Sequence, residues 1–249
     1  MKCKPYYLFI FMLFIGCHNQ DKSSEGKDFR LSLEESNDKL LNQGNIAFAD
    51  SLFASDYNNM GPDAVKDFVT NLRTAFPDLE VSVENKVQNG KMQAWIRTHK
   101  GTHRAPFMGY LPLNNAITWQ STIISERDDA GMISGEWGNS DLAEQLEKAS
   151  ANGVYTYLPP VEGHAIINMD QFIWSYTNTD TKRQFSEYGD IEFKDGLLLY
   201  TVKHSNWPER IGTSFKTRML GQFGDTVKWN FLDADEKITG LGQALKASQ

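Results

Sequence analysis

The chain of 249 residues has only two cysteines, Cys3 and Cys17. So few thiols leave no ligand set for a zinc–thiolate centre and no disulfide framework, so stability must come from apolar burial. Basic residues are outnumbered: 25 Lys and Arg stand against 32 Asp and Glu, a formal charge of −7. An acidic chain without a basic run argues against nucleic acid as a partner and against electrostatic membrane binding. Long apolar runs are lacking too. None reaches the roughly 20 residues needed to span a bilayer.

The apolar stretch that is present, Tyr6 to Ile15, has the length of a signal-peptide core. Lys2 and Lys4 precede it, and Gly16-Cys17 close it. Apolar residues, a small residue and then cysteine resemble a bacterial lipobox. The order predicts a signal peptide over residues 1–16 and an acylated Cys17, followed by a polar tether to residue 30. Cleavage would remove Cys3, and lipidation would use Cys17, leaving no thiol for catalysis. Losing Lys2 and Lys4 shifts the charge from −7 to −9. The expected location is the bacterial cell envelope, lipid-anchored and facing the periplasm or the cell surface.

Two patterns follow, with a seam near Ser150 to Gly153. Residues 31–150 mix helix and strand. Leu31, Leu33, Leu40 and Leu41 mark a first helix, and Gly44-Asn45 breaks it. Asn45 is placed to cap a short second helix. Gly61-Pro62 opens a third, in which Ala64, Val65, Phe68, Val69, Leu72 and Phe76 recur at helical spacing. Strands are predicted from Leu79, over Lys91 to His103, over Asn114 to Glu126 and over Met132 to Trp137, before a closing helix from Asp141 to Lys148. Asn89-Gly90 signals a tight hairpin. Three helices on a curved, mostly antiparallel sheet make a cone with a pocket at its open end. Residues 151–249 read as an all-β meander or barrel. Alternating segments such as Leu197 to His204 and Val227 to Phe231 are separated by turns such as Asp195-Gly196. The fold class is therefore α+β.

Several short motifs of the first half occur in order. They are Phe53-Ala54-Ser55-Asp56-Tyr57, Gly61-Pro62-Asp63-Ala64-Val65, Ala75-Phe76-Pro77-Asp78, Gly101-Thr102-His103, Phe107-Met108-Gly109 and Gly131-Met132-Ile133, leading to Trp137 and Asp141. Together they resemble the SnoaL-like polyketide or ester cyclase family, within the superfamily folded like nuclear transport factor 2, over residues 33–148. The resemblance implies ring closure by aldol chemistry with no metal or organic cofactor, using a carboxylate or histidine in an apolar cone. It also implies a homodimer through the cone-domain sheet. More faintly, Phe172-Ile173-Trp174, Gly189-Asp190-Ile191 and Val202-Lys203-His204 resemble small lipocalin-like domains, whose barrel holds a hydrophobic ligand.

The chain departs from the cyclase pattern at three places. Family members often carry Glu-His before the tryptophan, where this chain has Gly135-Glu136. The glycine-rich segment after Gly109 is replaced by Tyr110-Leu111-Pro112-Leu113-Asn114-Asn115. Asn58 or Asn59 stands for a histidine. A one-residue move along a strand changes the face. If Ile133, Gly135 and Trp137 line the cone, Glu136 points out; if Ser134 and Glu136 line it, the acid is kept.

Glu136, His103 and Asp141 are the candidate acid–base residues, with helix capping the alternative role for Asp141 or Ser140. Trp95, Phe107, Tyr110, Trp119, Trp137 and Asn59 are the candidate pocket wall around a small apolar molecule. His99 and His103 sit about 13 Å apart on a strand, too far to share a metal. No metal is therefore expected. Three function classes stay open: a cofactor-independent cyclase, isomerase or lyase acting on a carbonyl compound, a binding or carrier protein for a small hydrophobic ligand, and a structural or interaction protein whose pocket is vestigial.

Overall fold

The computed structural model describes residues 33–247. The predicted leader, Cys17 and the tether lie outside the described residues. The first unit opens with α1 (Leu33–Asn37), which runs on as a π-helical turn, Asp38–Asn42. A 3₁₀ turn, Ile46–Phe48, leads into α2 (Ala49–Leu52), and α3 spans Pro62–Ala75. Four strands follow: β1 (Glu80–Asn89), β2 (Met92–Thr102), β3 (Ala116–Arg127) and β4 (Ile133–Ser140). They form an antiparallel sheet in that order, and α4 (Leu142–Ala149) closes the unit.

Local chemistry sets most of these boundaries. Gly61, at φ 75, turns the chain, and Pro62 takes the first turn of α3, where its missing N–H costs nothing. α3 buries Val69, Leu72 and Ala75 in a core shared with Phe76, Trp119 and Leu146. Asn45 stands before the 3₁₀ turn but makes no side-chain cap; its carbonyl, not its amide, accepts the Phe48 N–H. The hairpin turn falls on Gly90 and Lys91, one residue later than expected, because Asn89 still pairs with Met92.

The second unit is an eight-stranded antiparallel barrel. Its strands are β5 (Gly153–Tyr157), β6 (Val161–Asn168), β7 (Gln171–Asn178), β8 (Gln184–Lys194), β9 (Leu197–Ser205), β10 (Ser214–Phe223), β11 (Thr226–Leu232) and β12 (Ile238–Lys246). The sheet closes where β12 meets β5 and β9 meets β10. Asp195 and Gly196 both adopt positive φ, as a two-residue hairpin between strands of this twist requires.

The first unit shuts one end of the barrel. Leu111 and Leu113, from the loop between β2 and β3, are buried in the barrel core with Tyr155, Met219 and Val227. Asn114 donates to the Met219 carbonyl at 2.7 Å, and Asn115 accepts from the Gln222 N–H at 2.9 Å. Lys246, near the end of the described chain, reaches back to the C-terminus of α4. Its ammonium donates to the carbonyls of Glu147, Lys148 and Ser150. These are groups that a helix end leaves without partners.

Candidate functional site

Alternation along the inner sheet sets the floor of the first unit. β2 turns Gln93, Trp95, Arg97 and His99 inward, and β3 turns Trp119, Ser121, Ser125 and Arg127 inward. On β4 the ladder slips. Ile133 opposes Arg127 and Glu136 opposes Ser125, so three steps on β4 match two on β3. The extra residue is a β-bulge. It puts Ile133 and Glu136 on the same inner face, which a regular strand cannot do. The next residue, Trp137, therefore points outward, 53% exposed and opposite Ile124.

Glu136 lies in a polar cluster. Tyr57 donates its hydroxyl to Oε2 at 3.0 Å, and Arg97 Nη2 lies 3.5 Å from Oε1. Burial, reinforced by the Glu136 charge and hydrogen bond, pushes the Tyr57 phenol well above its ordinary range and keeps it a donor. Asn58 fixes the backbone. Its amide donates to the Glu136 carbonyl at 3.2 Å and accepts the Glu136 N–H at 3.1 Å. Asn58 adopts φ 45, a left-handed conformation that asparagine tolerates better than most residues. With Ala54 bonded to Ile133, the stretch after α2 covers the free edge of β4.

The other candidates are scattered. His103 is fully buried and stacks on Phe76 at 5.3 Å. Its backbone meets Asn115, whereas Glu136 meets Ser125. Ten strand positions separate those levels, roughly 30 Å, so His103 and Glu136 share no site. Asp141 is exposed. Its carboxylate accepts the Gln120 N–H at 2.7 Å rather than capping α4, and the Ser140 hydroxyl accepts the Leu142 N–H. Trp119 is sandwiched between His99 and Phe76, and Phe107 packs in the same core with Tyr110 against it. Asn59 is exposed, so Asn58 is the asparagine that reaches Glu136. Of the six expected wall residues, only Trp95 lines the small space under α1. That space, between α1, Trp95 and Arg97, measures about 10 Å³, the size of a single water site.

A cavity of about 590 Å³ lies in the barrel. Tyr157, Trp174, Tyr176, Tyr200, Phe215 and Trp229 line it, and its lining reaches Leu158 to Val161 and Thr213 at the end away from the first unit. Burial, partly offset by Thr217, pushes the Tyr200 hydroxyl up to about 12, so it stays protonated. Beside the cavity Glu187 is fully buried and accepts four hydrogen bonds, from Trp174, Ser205 and, twice, Arg210. Burial alone would raise its pKa, but these donors, Arg210 first, hold it below the usual carboxylate range.

Residues 32–148 match the family model described as SnoaL-like polyketide cyclase. This unit is a SnoaL-like domain. Among solved structures, TsrD from Streptomyces laurentii is similar at 19% identity and a TM-score of 0.42, covering 45% of this chain and 90% of its own. Wild-type IdmH from Streptomyces antibioticus is similar at 22% identity and a TM-score of 0.40, covering 46% and 93%. A SnoaL-like polyketide cyclase from Agrobacterium tumefaciens is similar at 18% identity and a TM-score of 0.40, covering 46% and 91%. No curated protein sequence matches the chain. The SnoaL-like domain has the cone of nuclear transport factor 2, and the domain after it is a lipocalin-like barrel.

Within the SnoaL-like domain, sequence reading misses the roles of Tyr57 and Arg97, and it names Asn58 only beside Asn59, as standing for a histidine. Arg97 was open to discovery, because period-two counting places it between Trp95 and His99 on the buried face. In the barrel it misses Glu187 and Arg210, which lie 23 positions apart and meet through the pairing of β8 with β9, Glu187 opposite Ser205, and the turn that follows β9.

The two buried histidines set a pH dependence. Burial lowers His99 and His103 from 6.5 to about 4; next to this, the Arg97 charge lowers His99 further. Their folded pKa lies below the unfolded value, so between pH 6.5 and 4 the unfolded chain binds more protons. Stability is therefore lost as pH falls through that window, by up to roughly 3 kcal/mol for each histidine. Proton NMR of the imidazole C–H resonances should show both rings neutral at pH 5.5, with the melting temperature falling between pH 6.5 and 4. Titration of both rings near pH 6.5 would contradict this.

Proposed function

We propose that the protein is a membrane-tethered binding protein whose barrel holds a small, largely apolar molecule. One contrast carries the reading: about 590 Å³ of aromatic-lined space in the barrel against about 10 Å³ between α1, Trp95 and Arg97 in the cone. Ligand sites usually fall between roughly 300 and 1,000 Å³, and an eight-stranded barrel suits one small ligand. The cavity's Tyr and Trp rings supply apolar area in rigid form. The positive amino terminus, the apolar core and Gly16-Cys17 support acylation at Cys17, which would place the barrel outside the cytoplasm on a polar leash.

A second reading is favoured by a separate observation, the inward turn of Glu136 beside Arg97 and Tyr57. Oε1 of this carboxylate makes no hydrogen bond. It is positioned to take a proton next to a carbonyl, with the cationic Arg97 close by to offset the developing enolate charge. In this reading α1 must swing away to admit substrate, since Leu33, Ser36, Asn37 and Leu40 fill the approach.

Three measurements test these readings. N-phenyl-1-naphthylamine, a neutral fluorescent probe, should bind and quench the barrel tryptophans. Ala165→Phe, facing the cavity from β6, should weaken it by about 10-fold or more with the fold intact by circular dichroism. Unchanged affinity would remove the barrel reading. Deuterium exchange at the α-methyl of 2-acetylnaphthalene, followed by mass spectrometry, should slow on the order of 100-fold in Glu136→Gln. Exchange no faster with the unsubstituted protein than in buffer would end the second reading. Cys17→Ser should shift the protein from the membrane to the soluble fraction; retention in the membrane would refute the anchor.

A further inference from the structure

The barrel's polar end has a charge balance that selects among apolar ligands. Arg210, on the turn between β9 and β10, is the one charged side chain lining the cavity among the described residues. Its side chain is 33% exposed, whereas that of its partner Glu187 is 0% exposed. Nε and Nη2 are committed to the two Glu187 oxygens at 2.9 and 3.2 Å. A guanidinium carries five N–H donors in a fixed plane, so several remain to face the cavity. Glu187 is in turn saturated, with Trp174 Nε1 at 2.9 Å on Oε2 and Ser205 Oγ at 2.9 Å on Oε1. It cannot turn away to free Arg210's charge. The pair is therefore a rigid, bidentate donor platform with no net charge.

We propose that this platform selects an uncharged apolar molecule carrying a carbonyl-type oxygen, and rejects the corresponding carboxylate. The inference rests on the barrel-binding reading and specifies its ligand class. A carbonyl oxygen accepts the spare Arg210 N–H and brings no charge. A hydrocarbon of the same shape leaves those donors without a partner, at the cost of covering them. A carboxylate would bring the buried group of ligand, Arg210 and Glu187 to a net charge of −1, in a wall otherwise built of aromatic and aliphatic groups and neutral hydroxyls such as Thr213 and Ser214. Burying that uncompensated charge outweighs one extra charge-assisted hydrogen bond.

Three ligands of nearly equal size separate these cases by displacing N-phenyl-1-naphthylamine from the purified full chain. The expected order is 2-acetylnaphthalene tightest, 2-ethylnaphthalene weaker by about 5-fold, and 2-naphthoate weakest, at least about 10-fold below the ketone. Glu187→Gln releases the positive charge of Arg210 and should reverse the ends of the order, with 2-naphthoate gaining about 10-fold or more. In the double variant Glu187→Gln, Arg210→Gln the naphthoate should gain nothing. Where a variant loses its fold by circular dichroism, the order in the unsubstituted protein decides alone. Naphthoate binding as tightly as the ketone there would overturn the selection and leave the barrel reading standing, as would an order unchanged in folded Glu187→Gln. Failure of the reporter itself to bind would overturn the barrel reading and the selection with it.

Discussion

An eight-stranded barrel encloses its axis, but it holds a ligand only if one end is shut. Here the stopper is not made from the barrel's own chain. Leu111 and Leu113 enter from the SnoaL-like domain and pack on Tyr155, Met219 and Val227. Their loop is tied down by Asn114 and Asn115, which bond to the backbone of β10. From the opposite direction, Lys246 of the last strand caps α4. Its ammonium is pushed down to about 8 by burial, yet three carbonyls surround the charged form. Each domain therefore completes the other: one loses the packing behind Tyr155, Met219 and Val227, which line its cavity, and the other its final helix cap if they separate.

The same loop explains a departure visible in the sequence. Tyr110 to Asn115 stands where related cyclases carry glycine-rich chain, and read within one domain it looks like damage to a site. Read across two, it is an adaptation to a neighbour. Leucines at 111 and 113, two apart, point the same way in an extended segment, and Pro112 holds that segment extended between them. Period-two spacing was present in the sequence; the identity of the surface it meets was not, because that surface is assembled from strands as far apart in the chain as those of Tyr155 and Val227.

Legibility varied for similar reasons elsewhere. Helices and turns fixed by local chemistry could be read, among them Gly61-Pro62 and Asp195-Gly196. Strands β6 and β12 contain Gly163, Gly240 and Gly242, residues that resemble turn signals and break an alternating pattern. At Gly163 and Gly242 the barrel has no room for a side chain. A Cβ on Gly242 would lie 2.1 Å from the Trp229 ring, and one on Gly163 the same distance from the Ser175 carbonyl. The face of Glu136 could not be decided from spacing at all. Both alternatives assumed a regular strand, and the bulge at β4 satisfies neither, keeping Ile133 and Glu136 inside together.

The two interiors differ in a way that bears on function. Between α1, Trp95 and Arg97 the cone leaves little space, and polar atoms crowd it: among the described residues Ser36 Oγ, Asn37 Oδ1, Trp95 Nε1 and Arg97 Nε find no hydrogen-bond partner. Buried donors and acceptors without partners are costly, so this closure is held by the surrounding apolar contacts of Leu33, Leu40 and Phe53 against an opposing polar cost. The barrel shows the reverse. Its carboxylate is saturated, its hydroxyls are neutral, and its space is open. A cavity lined mainly by aromatic and aliphatic groups gains much from an apolar guest, and the spare Arg210 N–H groups are left for a polar atom of that guest. The cone's unspent hydrogen bonds would instead be satisfied by movement of α1, making helix displacement the step on which any chemistry at Glu136 depends.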